Sequence, residues 1–314
     1  MCSSDLLLQL LMIGEWALNL ALGALIAHAL DLPPGWALAI AVSFWAAARL
    51  LTIGNAFRLA LKWGDPIPSA LRITRAQLLA CFAREFLAVA RSFSFLQPLA
   101  PLWARWAFAE PRRGSRPVVL LVHGAMCNAS VWYSMRRALD QAGFDTEVVN
   151  LPSPRQPIAI GVPVLADRIE AICKLRGIER IPVVAHSMGG LVVRAYIAAQ
   201  GDAWLEQVIT IATPHAGTLF ANLGTWRAFQ EMRPGSNFLK ALAAKEGPKR
   251  HVDMTCLYSH HDNIVAPPSN ATLPGAKSIA YSGIGHVSLI RDSRVQRQVI
   301  VELRRPRVTN WTTS

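Results

Sequence analysis

The chain has few charged residues and no paired cysteines. Charged side chains make up 17% of its 314 residues and hydrophobic ones 52%, which favours a protein that partly contacts lipid. The five cysteines form no CxxC pair and no Cys/His cluster of zinc-binding spacing, which argues against a disulfide scaffold or a zinc module. We therefore expect reduced thiols at the following positions: Cys2, Cys81, Cys127, Cys173 and Cys256.

Acidic residues are scarce relative to basic ones. The chain has 20 Asp and Glu against 32 Lys and Arg, a net charge of +12. The arginines are spread along the whole chain without a basic stripe interleaved with aromatic residues, so we predict no nucleic-acid partner. A surface that faces anionic lipid explains the charge more simply.

Two long apolar runs lie at the N-terminus. Residues 6–30 and 36–57 are each long enough to cross a bilayer as a helix, with a turn at 31–35 between them. No basic residue precedes the first run, and a second run follows at once, so residues 1–62 are predicted to form a retained hairpin rather than a cleaved signal peptide. The turn carries no Lys or Arg, whereas these basic residues follow the second span: Arg58, Lys62, Arg72, Arg75, Arg84 and Arg91. The positive-inside rule then predicts a multi-pass protein of the cell inner membrane, with both termini and the catalytic domain on the cytoplasmic face.

Each predicted span contains one ionisable residue. Glu15 lies about fifteen residues before the turn and Arg49 about fourteen after it, which puts them at nearly the same depth. Because an unpaired charge in a membrane is costly, we hypothesise that the two side chains form an ion pair. The alternatives are that each side chain reaches toward the interface or faces a neighbouring chain.

Residues 63–116 are predicted to form a juxtamembrane segment and a linker. The stretch from Ala76 to Phe108 mixes Leu, Phe and Trp with spaced arginines, which fits an amphipathic helix on the lipid headgroups. An ordinary helix that covers the domain fits equally well.

Residues 117–314 have the pattern of an α/β domain. Short apolar runs begin near residues 118, 146, 181, 207, 253 and 277, and they suit strands buried in a parallel sheet. Helical segments are predicted between them at 130–142, 162–176 and 188–200, with a C-terminal helix from Val287. The alternation predicts a mostly parallel sheet with helices on both faces.

Ser187 lies where a predicted strand turns into a helix. The stretch AHSMG, Ala185 to Gly189, is a G-x-S-x-G nucleophile elbow with alanine in place of the first glycine. Such a turn places the serine hydroxyl at a helix N-terminus, where negative charge is favoured. Taken alone, Ser187 could equally be a helix cap.

Two later strand ends carry the partners that a nucleophilic serine needs. Asp262 and His286 each follow a predicted strand, in the chain order Ser, Asp, His. The backbone N–H groups of Ala125, after the first strand, and of Met188 are predicted to hold an oxyanion. His123 is expected to shape the turn rather than carry protons, and His260 and His261 to be solvated neighbours of the acid. Asp253 is the first alternative for the acid.

Five motifs together resemble the bacterial triacylglycerol lipases of the α/β-hydrolase superfamily: VHGAM, AHSMGG, TPHAG, HHDNIV and GIGHVSL. The resemblance runs from about Pro117 to about Arg297, and small bacterial lipases share the AHSMG elbow. It implies an α/β-hydrolase fold, a triad of Ser187, Asp262 and His286, and oxyanion donors at Ala125 and Met188. The N-terminal hairpin is not part of those secreted lipases.

Residues 214–250 are predicted to form a cap above the active-site end of the sheet. Leu219, Phe220, Leu223 and Trp226 are the candidate substrate-binding residues, and Phe229 and Met232 extend the same apolar face. For most of these side chains individually, covering the core is the simpler interpretation. His215, next to a proline at a strand end, is more often structural than catalytic.

The predicted function is a membrane-anchored lipase or carboxylesterase that acts on lipid or acyl esters through an acyl-enzyme. An acyltransferase or thioesterase with the same triad and a non-catalytic membrane interaction protein are the alternatives. We expect no cofactor and no catalytic metal, since no histidine–carboxylate cluster has metal-ligand spacing. The sequence leaves the acyl group, the oligomeric state and a structural calcium ion open.

Overall fold

The computed structural model describes residues 3–246 and 252–305. Its α-helices are α1 (Ser3–Ala29), α2 (Gly35–Trp63), α3 (Arg75–Arg91), α4 (Ala100–Trp103), α5 (Tyr133–Gln141), α6 (Gly161–Arg176), α7 (Met188–Gln200), α8 (Arg227–Glu231), α9 (Asn237–Glu246), α10 (His286–Leu289) and α11 (Ser293–Leu303). Its strands are β1 (Val118–Val122), β2 (Asp145–Val149), β3 (Ile181–His186), β4 (Leu205–Ile211), β5 (Met254–Ser259) and β6 (Lys277–Tyr281).

The two apolar runs form helices α1 and α2, which pack side by side. Mean hydropathy reaches 1.8 within Gln9–Ala29 and 1.7 within Gly35–Trp63, and only 17% and 11% of the residues in the apolar 18-residue windows of these helices are buried. A core helix of a soluble protein would be mostly covered, and these two are not. Both helices are long and apolar enough to span a membrane, a property that a signal sequence near the N-terminus shares. The second helix continues beyond the predicted end at Phe57 to Trp63.

The pairing predicted for Glu15 and Arg49 is confirmed. Arg49 Nη2 lies 2.5 Å from Glu15 Oε2, and both side chains are about three-quarters buried. The same nitrogen lies 3.3 Å from Ser94 Oγ. Opposite charges on α1 and α2 therefore pair next to the segment that follows α3.

The continuous helix predicted from Ala76 to Phe108 is interrupted. Helix α3 ends at Arg91, a π-helical segment runs from Ser92 to Leu96, and only the four-residue α4 and a 3-10 turn follow. Pro98 and Pro101 have no backbone N–H to continue an α-helix. The N-terminus of α3 has a capping box in which Thr74 and Gln77 exchange side chain to backbone hydrogen bonds.

Helix α3 lies between the hairpin and the α/β domain. Its inner side contacts α2, where the rings of Phe57 and Phe82 meet edge to face with centroids 6.0 Å apart, and it also contacts α10. On this inner side, α3 fits the interpretation as a helix that covers the domain. Its outer side leaves Leu79 and Leu87 about two-thirds exposed.

Six parallel strands form one sheet in the order β2-β1-β3-β4-β5-β6. β1 and β3 are buried along their whole length, as expected for strands covered on both faces. One apolar cluster, which includes Leu165 and Leu191, packs on one face. A second cluster, which includes Trp132 and Val299, packs on the other. This arrangement is the predicted α/β sheet with helices on both faces.

Helix predictions in this domain agree with the structure except at two ends. α7 has the predicted bounds, Met188 to Gln200. The predicted helix 130–142 begins as a 3-10 turn, Ala129–Trp132, before α5, and the single C-terminal helix is divided into α10 and α11. Four of the cysteines predicted to be reduced, Cys81, Cys127, Cys173 and Cys256, are buried and form no disulfide within the described part of the chain. Cys2, cap residues 247–250 and the last residues, 306–314, lie outside the described part of the chain.

Candidate active site

The nucleophile elbow is formed where β3 meets α7. Ser187 has φ 53° and ψ −128°, a left-handed conformation that costs energy for a residue with a side chain. A hydrogen bond of 2.9 Å from Ser187 N to Ile211 O ties the turn to the neighbouring strand β4. A Cβ on Gly189 would lie 2.5 Å from the carbonyl oxygen of His123. The small residue predicted there therefore lets α7 start against the end of β1.

Ser187, His286 and Asp262 form a continuous chain of hydrogen-bonding contacts. His286 Nε2 lies 3.1 Å from Ser187 Oγ. His286 Nδ1 lies 2.9 Å from Asp262 Oδ2 and 3.1 Å from Oδ1. The structure thus brings together the three residues that the sequence placed at the ends of β3, β5 and β6, because parallel strands share a carboxyl edge.

Asp262 is held by its own loop. Its Oδ1 accepts hydrogen bonds from the backbone N–H groups of Ile264, at 2.7 Å, and Val265, at 2.9 Å, which leaves Oδ2 as the nearer partner of His286. The carboxylate therefore has a fixed orientation. Asp253, the alternative acid, precedes the first residue of β5, so it lies at the opposite end of that strand and cannot take this place.

Nearby carboxylates favour the protonated form of His286 and outweigh the opposite effect of burial. Burial lowers the pKa of His286, but the Asp262 carboxylate and, further away, Glu85 raise it, and the net shift is upward. Next to it, burial lowers the pKa of His186 well below the usual value. The two rings lie 4.8 Å apart between centroids, and a neutral His186 avoids repulsion between like charges.

Two residues near His286 escaped the sequence prediction. Asn263 Oδ1 accepts a hydrogen bond of 3.0 Å from His286 N, and Glu85 of α3 accepts from the next two backbone N–H groups. Asn263 could have been suspected because it follows the acid directly. Nothing local in the sequence links Glu85 to a loop some two hundred residues further along the chain.

The predicted oxyanion donors flank Ser187. A Cβ on Gly124 would lie 2.8 Å from Ser187 Cβ, so only glycine allows the β1 loop to approach the nucleophile this closely. Ala125 is the next residue after this contact, and Met188 begins α7. Their assignment as donors stays a prediction that this placement makes geometrically reasonable.

His123 and His215 make contacts that suit structural roles. His123 Nε2 accepts from Leu151 N at 2.9 Å and its Nδ1 lies 2.8 Å from Gly124 O, while burial lowers its pKa to about 4. This agrees with a turn-shaping role. His215 is buried, with Nε2 3.0 Å from Thr210 Oγ1.

The expectation that both His260 and His261 are solvated is wrong for His261. Its side chain is buried, and Nδ1 accepts a hydrogen bond of 3.1 Å from Gly283 N. The ring therefore joins the loop of the acid to the loop that carries His286. His260 is only partly buried.

The cap residues have different surroundings. Phe220 meets Trp63, the last residue of α2, with ring centroids 5.2 Å apart. Trp226 stacks on Phe229 at 5.9 Å, and Leu223 is 66% exposed. Met232 is buried in the core, as the simpler interpretation holds. A role for Leu219, Phe220, Leu223 and Trp226 in substrate binding stays a prediction.

No metal-binding cluster is present among residues 3–246 and 252–305: no three His, Cys, Asp or Glu side chains there are grouped so that they could hold an ion.

Comparisons with known proteins match part of the chain. Two curated relatives, the triacylglycerol lipases of Pseudarthrobacter phenanthrenivorans and Burkholderia plantarii, are each 31% identical over 123 residues. Each match covers 36% of this chain, and the chain spans only 38% and 34% of the length of these two relatives.

Solved structures show a similar fold. Mature Bacillus licheniformis lipase BlEst2 superposes with a TM-score of 0.53 at 19% identity, over 62% of this chain and 94% of that one. Aspergillus fumigatus lipase B gives a TM-score of 0.51 at 20% identity, over 59% and 52%. At such low identity these likenesses concern the fold alone.

A family model described as the alpha/beta hydrolase fold matches residues 117–290. That range begins just before β1 and includes α10, so it contains the whole parallel sheet and the residues that meet at its carboxyl edge. The chain belongs to the alpha/beta hydrolase fold family.

Proposed function

We propose that this protein is a membrane-anchored serine hydrolase that cleaves carboxylic esters of lipids. The observation that carries the proposal is the chain of hydrogen-bonding contacts between the three side chains. Ser187 Oγ lies 3.1 Å from His286 Nε2, and His286 Nδ1 lies 2.9 Å from Asp262 Oδ2. A serine hydroxyl is a weak nucleophile until a positioned base removes its proton, and the base needs an acid to fix its tautomer. The three residues supply these functions in that order.

In the acylation step, His286 Nε2 takes the proton of Ser187 as Oγ attacks the ester carbonyl carbon. The carbonyl oxygen becomes an oxyanion, which the N–H groups of Ala125 and Met188 stabilise. The tetrahedral intermediate then breaks its bond to the alcohol oxygen, and His286 gives that oxygen the proton. The alcohol leaves, and the acyl group stays on Ser187.

In the deacylation step, His286 takes a proton from water as the water oxygen attacks the acyl-enzyme. The second tetrahedral intermediate releases Ser187, which recovers its proton from His286, and the carboxylic acid departs. Asp262 holds the Nδ1–H tautomer and stabilises the imidazolium in both steps. An alcohol or amine in place of water would make the same enzyme an acyltransferase.

Lipid esters are the proposed substrates because the catalytic domain is attached to an apolar hairpin. The two curated relatives are named triacylglycerol lipases. Trp63 at the end of α2 contacts Phe220 of the cap, and Asp65 Oδ2 accepts from Ser269 N at 2.9 Å, so the base of the hairpin adjoins the loops around the site. We propose that Leu219, Phe220, Leu223 and Trp226 line the path of the acyl chain.

We propose that the hairpin anchors the protein in the inner membrane. Leu87 of α3 and Leu102 of α4, which are 65% and 80% exposed, add exposed apolar side chains to the segment that follows the hairpin. The basic residues that follow α2 favour a cytoplasmic catalytic domain. Anchoring would raise the local concentration of acyl lipids at the enzyme.

Activity-based labelling of membrane fractions tests both parts of the proposal. The full chain should react covalently with a fluorophosphonate at Ser187 and should remain in the membrane fraction after a high-salt wash. The Ser187→Ala variant is the matched control and should not be labelled. Folded wild-type protein that is not labelled would indicate a non-catalytic scaffold, and release by salt would contradict the anchor.

Substrate profiles then separate the enzyme classes. A lipase or carboxylesterase should hydrolyse p-nitrophenyl esters and triacylglycerols faster than acyl-thioesters of equal chain length. Preference for the thioester would identify a thioesterase, and transfer of the acyl group to added alcohol in preference to water would identify an acyltransferase.

A further inference from the structure

We propose that Glu85 is a positioning residue for catalysis: a carboxylate from the N-terminal segment that fixes the backbone on which His286 is mounted. The inference rests on the function proposed above, because it assigns Glu85 an effect on the catalytic base. Glu85 lies in α3, outside the range matched by the family model. The N-terminal segment would then contribute to catalysis as well as to anchoring.

The contact is bidentate and fully buried. Glu85 Oε1 accepts a hydrogen bond of 2.9 Å from Val287 N, and Oε2 accepts one of 2.9 Å from Ser288 N. The side chain has no exposed surface. Charge-assisted hydrogen bonds of this kind are stronger than neutral ones, and two of them define an orientation as well as a distance.

These two N–H groups need partners because they begin a helix. α10 has only four residues, His286–Leu289, and the first N–H groups of a helix have no acceptor within it. Asn263 accepts from His286 N, so three consecutive N–H groups at the catalytic histidine are bound by side chains. A one-turn helix is too short to hold its own shape, and these acceptors determine where it sits.

The loop is built to admit the carboxylate. A Cβ on Gly285 would lie 2.6 Å from both Cδ and Oε2 of Glu85, a distance that no real side chain could keep. Gly285 has φ −82° and ψ 174°, a conformation open to any residue. Glycine is therefore needed here for the space that Glu85 occupies rather than for backbone freedom.

The neighbouring residue of α3 holds the other side of the same loop. Arg84 Nη2 donates a hydrogen bond of 2.8 Å to Gly283 O. Two consecutive side chains thus hold the backbone before and after Gly285. Cys81, one turn earlier, is fully buried in a cluster with Ile53 and Phe57 of α2. Helix α3 therefore contacts both the hairpin and the loop that carries His286.

The charge of Glu85 also acts on His286. Burial raises the pKa of Glu85, hydrogen bonds from residues 287 and 288 and the nearby His286 offset part of this effect, and the net shift is upward. Its carboxylate in turn raises the pKa of His286, in addition to the larger effect of Asp262. The other titratable groups around this loop include the following: Cys81 and Arg84 on α3, His186 at the end of β3, His261 and Asp262 after β5, and Arg294 on α11. A negative Glu85 therefore favours the imidazolium that forms during acylation.

Replacement of the carboxylate by an amide tests the proposal. Glu85→Gln keeps the size of the side chain, but its NH₂ group faces an N–H donor and the charge is lost. We expect kcat to fall by roughly 10- to 100-fold with KM little changed, the range for a misplaced catalytic group. The rate of fluorophosphonate labelling should fall in parallel, and the acid limb of kcat/KM should move to lower pH. Glu170→Gln, which removes an exposed carboxylate of α6, is the matched control and should alter none of these.

Variants of Glu85 and of its contact residue Gly285 distinguish an effect on the position of His286 from a general loss of folding. Glu85→Asp keeps the charge, so its acid limb should stay at the wild-type pH although kcat falls. If Glu85→Gln does not fold, Gly285→Ala carries the test: it should lower kcat about 10-fold, and Glu85→Asp in the same chain should restore part of the loss because the shorter side chain makes room. Wild-type kcat in Gly285→Ala would then overturn the proposal.

Failure of this inference is distinguishable from failure of the proposed function. If the wild-type chain is labelled and Glu85→Gln is labelled at the same rate with the same pH profile, Glu85 has no role in positioning. If the wild-type chain itself is not labelled, the serine hydrolase proposal fails and the role of Glu85 in catalysis fails with it.

Discussion

His286 Nε2 lies 3.1 Å from Ser187 Oγ, although 99 residues separate them in the chain. The two residues follow β6 and β3, which are not neighbours in the sheet. They meet because both project from the same edge, at the carboxyl ends of parallel strands. Asp262, after β5, lies at the same edge, so the shared carboxyl edge of the parallel strands brings all three residues together.

Asp262→Asn should keep the fold and abolish most turnover. The asparagine oxygen can still accept from Ile264 N and Val265 N, as Oδ1 does now. Its amide nitrogen would then face His286 Nδ1 and stabilise the wrong tautomer, so kcat should fall by roughly 10⁴-fold. Steady-state hydrolysis of a soluble p-nitrophenyl ester measures the loss, and circular dichroism checks the fold. Asp253→Asn, at the other end of β5, should retain wild-type turnover, whereas an active Asp262→Asn enzyme would remove Asp262 from the relay.

Activity should be lost on the acid side at a pH above the ordinary pKa of an imidazole. Burial lowers the pKa of His286, but Asp262 and Glu85 raise it to a net upward shift. The base must be neutral to accept the proton of Ser187, so activity is lost as the pH falls through this raised pKa. We expect the inflection in kcat/KM above about pH 6.5, the ordinary histidine value. An inflection below that pH would show that the Asp262 carboxylate does not stabilise the imidazolium in the working enzyme.

Exchange of the charges in the hairpin should be tolerated only as a pair. Glu15→Arg or Arg49→Glu places two like charges within reach of each other among apolar helices, and each should cost roughly 2–3 kcal/mol. The double exchange restores an ion pair and should recover most of the loss. Thermal unfolding in detergent, together with the yield of inserted protein, measures all three variants.

Arg58→Glu is the control for that exchange. Arg58 is exposed near the end of α2 and bonds only to the nearby Asn55 among the described residues, so its change should have little effect on unfolding. A double exchange that rescues nothing would show that the contact between Glu15 and Arg49 does not stabilise the hairpin.

Gly124→Ala should inactivate the enzyme without unfolding it. The added Cβ would lie 2.8 Å from Ser187 Cβ and 3.2 Å from His186 O, so the loop must move away from the nucleophile and take Ala125 N with it. Loss of one oxyanion donor costs roughly 10²- to 10³-fold in kcat. Wild-type kcat in a folded Gly124→Ala protein would indicate that the oxyanion donor lies elsewhere.

Much of the fold could be predicted from local sequence. Short apolar runs predicted the six strands, and the elbow at Ser187 required β3 to turn sharply into α7, whose bounds agree with the prediction. The equal depths of Glu15 and Arg49 followed from counting helix residues from one turn. These inferences succeed because they depend on short-range geometry or on a shared sheet edge.

The interrupted helix after Arg91 and the burial of His261 were missed for a physical reason. An amphipathic pattern continues past Arg91, but the side chain of Gln97 and its backbone carbonyl bond to Asn128, a partner far along the chain. His261 looks like a solvated loop residue until Gly283 N is brought to its ring. Pro98 and Pro101 act locally against a continuous helix, whereas the partners of Gln97 and His261 come from distant elements.

The sequence by itself determined the order of strands and helices, the nucleophile elbow, and the positions of an acid and a base at strand ends, since each is encoded in a few consecutive residues. Only the tertiary structure decided that α3 lies between the hairpin and the sheet, with Glu85 against the backbone of Val287 and Ser288. No local pattern specifies that contact, because a buried carboxylate is stable only where folding brings backbone donors to it.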